Sequence, residues 1–153
     1  MALDIPLVEG RGLLHNVQLY SRKIIFIDES YNASPESMKT TINYFFKIKK
    51  LNKQKKYLIL GDMRELGENS LNFHVKLLNQ LKSKKIDHII ICGELMSLAL
   101  KKVNNKKILK MDINELLKYL RDNILSGDLL LVKGSNSELT SDLAKKLLSK
   151  EAV

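Results

Sequence analysis

Short, almost unbroken apolar runs alternate along this chain with stretches whose apolar positions recur every three to four residues. The runs at 24–27, 57–60, 88–92 and 129–132 carry almost no polar residue, which suits strands buried on both faces. A weaker run at 107–109 predicts one more short strand. Between the runs, Met38, Ile42, Phe45 and Phe46 fall on one helical face. Leu71, Val75, Leu78 and Leu81 do so in the next stretch, then Leu95, Leu98 and Ala99, then Leu116, Leu117, Leu120 and Ile124, and finally Leu139, Leu143 and Leu147. Ser34-Pro35 opens the first helix as an N-cap followed by a first-turn proline. Asp112 with Glu115 forms a capping-box pattern, and Gly93 closes the run at 88–92. Residues 13–20 predict an edge strand that turns at Ser21-Arg22 into residues 23–28, so that pair is antiparallel.

Strands alternating with helices imply βαβ crossovers and a sheet covered on both sides. The expected fold is α/β: a three-layer, Rossmann-like domain with a mainly parallel sheet, one antiparallel edge strand and helices on both faces. Residues 13–153 form this domain, and residues 1–12, broken by Pro6, Gly10 and Gly12, read as an interdomain linker remnant. Three polar turns follow three of the apolar runs: Asp28-Glu29-Ser30-Tyr31-Asn32-Ala33-Ser34-Pro35, Gly61-Asp62-Met63-Arg64-Glu65-Leu66-Gly67, and Lys133-Gly134-Ser135-Asn136-Ser137. If the runs are parallel strands, all three turns lie on the carboxyl edge of one sheet, where open α/β sheets bind ligands.

Composition narrows the class. With 153 residues, 44% apolar and 28% charged, the chain has the makings of one globular domain. No run reaches the length of a membrane span, and Asp4 and Glu9 interrupt any signal-peptide pattern at the start. The expected setting is the cytoplasm, and no membrane partner is expected. One cysteine, Cys92, excludes an internal disulfide or a cysteine zinc site, and its place in an apolar run predicts a buried, inert thiol. The net charge of +9 comes mostly from lysines near predicted helix ends. That placement reads as solvated helix termini. Aromatic residues do not interleave with the lysines as a nucleic-acid stacking platform requires, so no nucleic-acid partner is expected, and a monomer is.

The turns carry candidate chemistry with structural alternatives beside it. Asp28-Glu29 can accept hydrogen bonds from ribose hydroxyls or hold a cation, or can simply complement the dipole of the following helix. Ser30, Tyr31 and Asn32 crowd donors and acceptors into the same turn. The glycine-bounded loop with Asp62, Arg64 and Glu65 fits a backbone approaching a ligand, or a connector with an internal ion pair. Lys133-Gly134-Ser135 can seat an anion, while Ser135 with Glu138 also fits a capping box. Asn136 borders the same turn. His74 follows the glycine-bounded loop and could line the site, or be an ordinary helix histidine. His15, His74 and His88 lack metal-ligand spacing, so no metal site is expected. The chain contains no GxxxxGK[ST] loop and no GxGxxG fingerprint. No catalytic residue is assigned to this chain.

These motifs together resemble the Mur ligase family, in its branch that adds D-alanyl-D-alanine to UDP-N-acetylmuramoyl-tripeptide. Ile27-Asp28-Glu29-Ser30-Tyr31-Asn32-Ala33-Ser34-Pro35-Glu36-Ser37-Met38 resembles that branch's DDSYNANPxSM segment, and Leu60 to Gly67 its LGDMxELG segment. Val132-Lys133-Gly134-Ser135 is similar to its VKGS turn, His74 stands where it has a histidine, and Gly10-Arg11-Gly12 resembles its interdomain GR pair. Two positions depart: Glu29 replaces a second aspartate, and Ser34 replaces an asparagine.

The resemblance implies the C-terminal domain of such a ligase, about a third of it. The phosphate loop, carbamylated lysine and magnesium ligands of the family belong to a central ATPase domain, which would be this domain's partner; the chain alone is expected to be inactive. By resemblance, Arg11 would reach the ATP phosphates, Glu29 the ribose and Asn32 the adenine. Ser30, Arg64, Lys133 and Ser135 would hold the incoming dipeptide, with Asp28, Tyr31, Asp62, His74 and Asn136 lining the site. ATP and Mg are the implied cofactors, and D-alanyl-D-alanine and UDP-MurNAc-tripeptide the substrates, in a bacterial cytoplasm. The competing expectations are a free-standing Rossmann-like nucleotide- or nucleic-acid-binding module, and the C-terminal domain of a folylpolyglutamate synthase-like ligase, which takes glutamate as acceptor.

Overall fold

The computed structural model describes residues 13–30, 33–51, 53–135 and 138–148. Among them, six strands and five α-helices follow one another: β1 (Leu13–Leu19), β2 (Arg22–Glu29), α1 (Pro35–Lys47), β3 (Lys56–Leu60), α2 (Ser70–Gln80), β4 (His88–Ile91), α3 (Glu94–Lys102), β5 (Ile108–Lys110), α4 (Ile113–Asn123), β6 (Leu129–Lys133) and α5 (Glu138–Leu148). Single turns of 3₁₀ helix at Gly67–Asn69 and Leu81–Ser83 flank α2.

The sheet order is β1-β2-β6-β3-β4-β5. Only β1 and β2 pair antiparallel; the other neighbours are parallel. The hairpin turns at Tyr20 and Ser21, whose φ angles are 50° and 63°. Positive φ at both central residues matches the twist of the paired strands. A left-handed residue with a side chain costs roughly 1–2 kcal/mol. The Tyr20 hydroxyl offsets part of this by donating to the Leu117 carbonyl at 3.0 Å.

Strand side chains alternate between two cores. Leu58, Leu60, Ile89, Ile91, Leu129 and Leu131 face Met38, Ile42 and Phe45 of α1, Leu77 and Leu78 of α2, and Met96 and Ala99 of α3. Tyr57, Ile59, Ile90, Leu130 and Val132 face Leu116 and Leu120 of α4 and Leu143 and Leu147 of α5. The fold is therefore the expected three layers. Both capping patterns form: Ser34 with Ser37, and Asp112 with Glu115.

Two helix faces differ from expectation. In α3 the buried residues are Met96 and Ala99, while Leu98 is 41% exposed and Leu95 half-buried. Among α2 residues, His74, Leu77 and Leu78 are buried, and Leu71 and Val75 only partly. The face of α2 is rotated because a polar residue, His74, sits at its centre.

Strand β3 starts one residue earlier than expected, with a lysine. Lys56 is 3% exposed and its ammonium donates to the carbonyls of Phe46 and Ile48 at the end of α1, above the Phe45 ring. A cation at a helix C-terminus satisfies orphan carbonyls there, so a charge enters a central strand without being left unpaired. Burial still holds its pKa below the ordinary lysine value.

At the same end of the sheet, the His88 ring stacks on Tyr57 with centroids 4.1 Å apart, and its Nδ1 lies 2.7 Å from the Tyr119 hydroxyl. Burial, with Lys55 adding to it, lowers the His88 pKa from its ordinary 6.5; Asp87 and Asp128 oppose the shift. The unfolded chain then takes up the proton first as pH falls. His88 adds stability that is complete above the ordinary value and lost as pH drops from there through the lowered folded-state value. Thermal midpoints between about pH 7.5 and about pH 5 should fall more steeply for the natural sequence than for His88→Phe, which keeps the stack and removes the titration. Equal slopes would remove His88 from the account.

Candidate functional site

Parallel register brings three distant segments level. Glu29 of β2 pairs with Lys133 of β6, and Lys133 pairs with Leu60 of β3. The loops after β2, β3 and β6 therefore leave the sheet at one height, with the β6 loop in the middle. The Lys133 ammonium lies 3.2 Å from Glu29 Oε2, and the two side chains are 3% and 13% exposed. Removing one partner of such a buried pair costs about 3–5 kcal/mol, because the other charge is stranded.

The three loops are tied together at Ser135. Its hydroxyl accepts the Arg64 N–H at 2.8 Å and donates to the Ala33 carbonyl at 3.4 Å. Its own N–H donates to the Asp62 carbonyl at 2.9 Å, while the Gly61 N–H donates to the Lys133 carbonyl at 2.8 Å. One side chain thus touches the loops after β2 and β3 from the loop after β6.

His74 completes the hold. The ring is fully buried, and its Nε2 accepts the Met63 N–H at 2.9 Å. That leaves Nδ1 to donate to the Ser70 carbonyl, 2.6 Å away, so the hydrogen bonds assign the Nδ1–H tautomer. His74 therefore does not line the site with an open ring, as expected; it holds the loop from beneath. Asp62 is a second correction. Its two carboxylate oxygens accept the N–H groups of Leu95 and Met96 at the start of α3. The N-cap of α3 is Gly93, which brings no side-chain acceptor. Gly93 has φ +112°, and a Cβ there would lie 2.5 Å from the Asp62 carboxylate. A helix opened by Gly-Glu with no capping residue was the available sign that the acceptor comes from elsewhere.

The remaining expected residues divide plainly. Arg64 and Glu65 are exposed, and among the described residues the loop makes no internal ion pair. Asp28 accepts the Ser30 N–H at 3.0 Å, shaping the first turn, and Ser30 is buried. Arg11, Tyr31, Asn32 and Asn136 lie outside the described residues. Cys92 is buried and its thiol is pushed up to about 12 by burial, so it is no nucleophile.

The helices after β3 and β6 cover opposite faces of the sheet, so neighbouring loops diverge there. Such a divergence is where open α/β sheets take ligands. The rim exposes the Arg64 side chain and leaves the Asp28 and Glu29 carboxylates and Ser135 partly exposed, with the Lys133 ammonium buried beneath against Glu29. That set suits a ligand bearing both hydroxyls and a carboxylate or phosphate. A second, open crevice of about 700 Å³ lies between Gly93, Ser97, Lys101, Lys110 and Asp112. None of the expected site residues lines it.

The family model of the Mur ligase, glutamate ligase domain, matches residues 16–136, which take in the loops after β2 and β3 and all but the last residue of the loop after β6. The chain belongs to the Mur ligase family. It is 33% identical over 148 residues to the UDP-N-acetylmuramoyl-tripeptide–D-alanyl-D-alanine ligase of Buchnera aphidicola from Acyrthosiphon pisum, covering 95% of this chain and 31% of that protein. Over 127 residues it is 32% identical to the Bacillus subtilis ligase of the same name, covering 80% of this chain and 27% of that one. The crystal structure of the MurF ligase from Thermotoga maritima in complex with ADP superposes with a TM-score of 0.67 at 29% identity, over 97% of this chain and 33% of that one. An Acinetobacter baumannii MurF gives 0.71 at 27%, over 95% and 31%. The chain spans about a third of the length of these relatives. It corresponds to the C-terminal domain of the MurF type.

The Mur ligase loop after β3 should loosen when its buried support is removed. His74→Ala orphans the Met63 N–H and opens a cavity, for a loss of about 2–4 kcal/mol. Amide exchange should then speed up at Met63 and Arg64 by at least about tenfold relative to β3 and α1. A uniform rise across the domain would instead mean that His74 serves only global stability.

Proposed function

We propose that this domain is the acceptor-binding lid of an ATP-dependent peptidoglycan-precursor ligase that joins D-alanyl-D-alanine to UDP-MurNAc-tripeptide. The observation that carries this reading is the junction at Ser135, where the three segments resembling the D-alanyl-D-alanine branch meet on one rim. In the reaction, ATP phosphorylates the tripeptide carboxylate to an acyl phosphate. The dipeptide amine then attacks that carbonyl, an amide bond forms, and phosphate leaves.

The residues of this chain bind and orient. A carboxylate has about four acceptor positions, so Glu29 can take ribose hydroxyls while keeping its contact with Lys133. By the family resemblance, Asn32 is assigned to the adenine and Arg11 to the phosphates, where a guanidinium stabilises developing charge. Arg64, held through its backbone N–H to Ser135 and itself exposed, is assigned to the dipeptide carboxylate. Ser30, Lys133 and Ser135 set the floor of that seat. Closure of the rim over the nucleotide domain excludes water that would hydrolyse the acyl phosphate. Magnesium and the phosphate cradle are assigned to the P-loop domain of the same enzyme, in the bacterial cytoplasm. The ADP found in the Thermotoga maritima relative supports ATP as its nucleotide. The presence of all three loop signatures favours the dipeptide over glutamate as acceptor.

Grafting this domain onto the N-terminal and central domains of the Thermotoga maritima ligase tests the reading. The chimera should release ADP only when UDP-MurNAc-tripeptide and D-alanyl-D-alanine are both present, and the isolated domain should release none. Arg64→Ala should raise the KM for the dipeptide about tenfold or more and leave that for ATP unchanged; Glu29→Ala, which also strands Lys133 in the dipeptide seat, should raise both. A folded chimera that uses glutamate, or whose ADP release ignores the dipeptide, would overturn the proposal.

A further inference from the structure

The end of the sheet opposite the loop rim carries a lysine-dense corner. Lys47, Lys49, Lys50, Lys53 and Lys55 lie between the last turn of α1 and the start of β3. Lys82, Lys84 and Lys85 lie between α2 and β4. The two segments touch. Lys50 pairs with Asp87 at 3.1 Å and Lys55 at 4.0 Å, the Lys56 N–H donates to the same carboxylate, and the Lys84 ammonium sits 4.9 Å from the centre of the Phe46 ring of α1. Eight lysines therefore share two adjoining segments, and two of them, Lys50 and Lys55, pair with the same aspartate. Crowding of like charge is felt inside the fold as well, where Lys50 helps to lower the Lys56 pKa.

Helix termini do not account for this density. Of the eight, only Lys47 and Lys82 stand in the last turn of a helix, and the dipole effect dies away beyond that turn. Leu51, next to Lys50, is 36% exposed in the same segment.

We propose that this corner docks on an anionic lipid surface. Its cations are all lysines, mobile point charges that suit a diffuse field of headgroups rather than the bidentate reading of single phosphates, for which arginine is the better residue. No exposed aromatic ring accompanies them, among the described residues, as a platform for stacked bases. An exposed leucine among lysines matches the pattern of a shallow interfacial anchor. The geometry is compatible with turnover, because the loop rim points away from a surface bound at the opposite end of the strands. This departs from the expectation that the lysines are only solvated helix ends. It stands independently of the acceptor chemistry proposed above.

Sedimentation of the purified chain with vesicles decides the matter. Vesicles of phosphatidylcholine with about 30% phosphatidylserine should retain the chain at about 0.05 M salt and release most of it at about 0.3 M, while phosphatidylcholine alone should not retain it. The variant Lys49→Glu/Lys53→Glu/Lys85→Glu should lower partitioning at least tenfold with an unchanged thermal midpoint, and Leu51→Ala should lower it severalfold. Lys101→Glu/Lys102→Glu/Lys107→Glu makes the same charge change elsewhere and should stay within twofold of the natural chain. Absence of retention on the anionic vesicles, equal loss from both triple variants, or a single-stranded RNA displacing the chain from vesicles at equal phosphate would overturn the proposal. The last result would assign the corner to nucleic acid.

Discussion

Strand β6 is the last to be made and lies in the middle of the sheet, hydrogen-bonded to β2 on one side and β3 on the other. Its position brings Lys133 to Glu29 across 104 residues and Ser135 to Arg64 across 71. The rim does not exist until this strand is seated. Loop closure over such separations is slow and entropically costly. The interactions that offset this cost are concentrated where β6 docks: a buried ion pair, hydrogen bonds around the Gly61–Ser135 junction, and a strand with every residue buried.

Charge at the rim is mostly committed to architecture. Asp28 shapes its own turn, Asp62 caps α3, and Glu29 and Lys133 hold each other. Arg64 and Glu65 are left at the surface. Left-handed backbone at Glu65 and Gly67, with φ of 59° and 68°, turns the chain there; the glycine adopts it freely, and the strain falls on Glu65. His74 and Ser135 hold the peptide groups of Met63 and Arg64 from two sides. A loop so fixed loses little entropy when a ligand arrives, which is the value of preorganisation. Under the proposed lid role, such stiffness lets rigid-body closure deliver Arg64 to a defined place.

The opposite end of the sheet solves a different problem. There Lys56, Asp128 and His88 are polar groups buried in whole or in part, and each is held by hydrogen bonds. Asp128 accepts the N–H groups of Lys55 and Leu125, linking the entries to β3 and β6. Burial raises its pKa all the same, against those bonds. Polar satisfaction at this end fixes strand starts, just as the loops fix strand ends. Beyond these groups the lysine corner extends into solvent, so the two ends of one sheet carry opposite kinds of surface.

Alternation of apolar runs with helical faces, an N-cap serine before a proline, the Asp112–Glu115 capping box and three loop signatures was enough to read the layers, the parallel sheet and the common edge from the sequence alone. Those features are local: each reports burial or backbone preference within its own element. What local pattern could not hold was the choice of partners. The place of β6, the use of Asp62 by a helix more than thirty residues later, the rotation of α2 toward a buried His74, and the lysine that opens β3 all depend on groups distant in the chain. A histidine or lysine reads as polar in sequence, and only its hydrogen-bond partners make its burial tolerable. The tertiary structure supplied those partners, and with them the difference between residues that build the rim and residues that face what binds there.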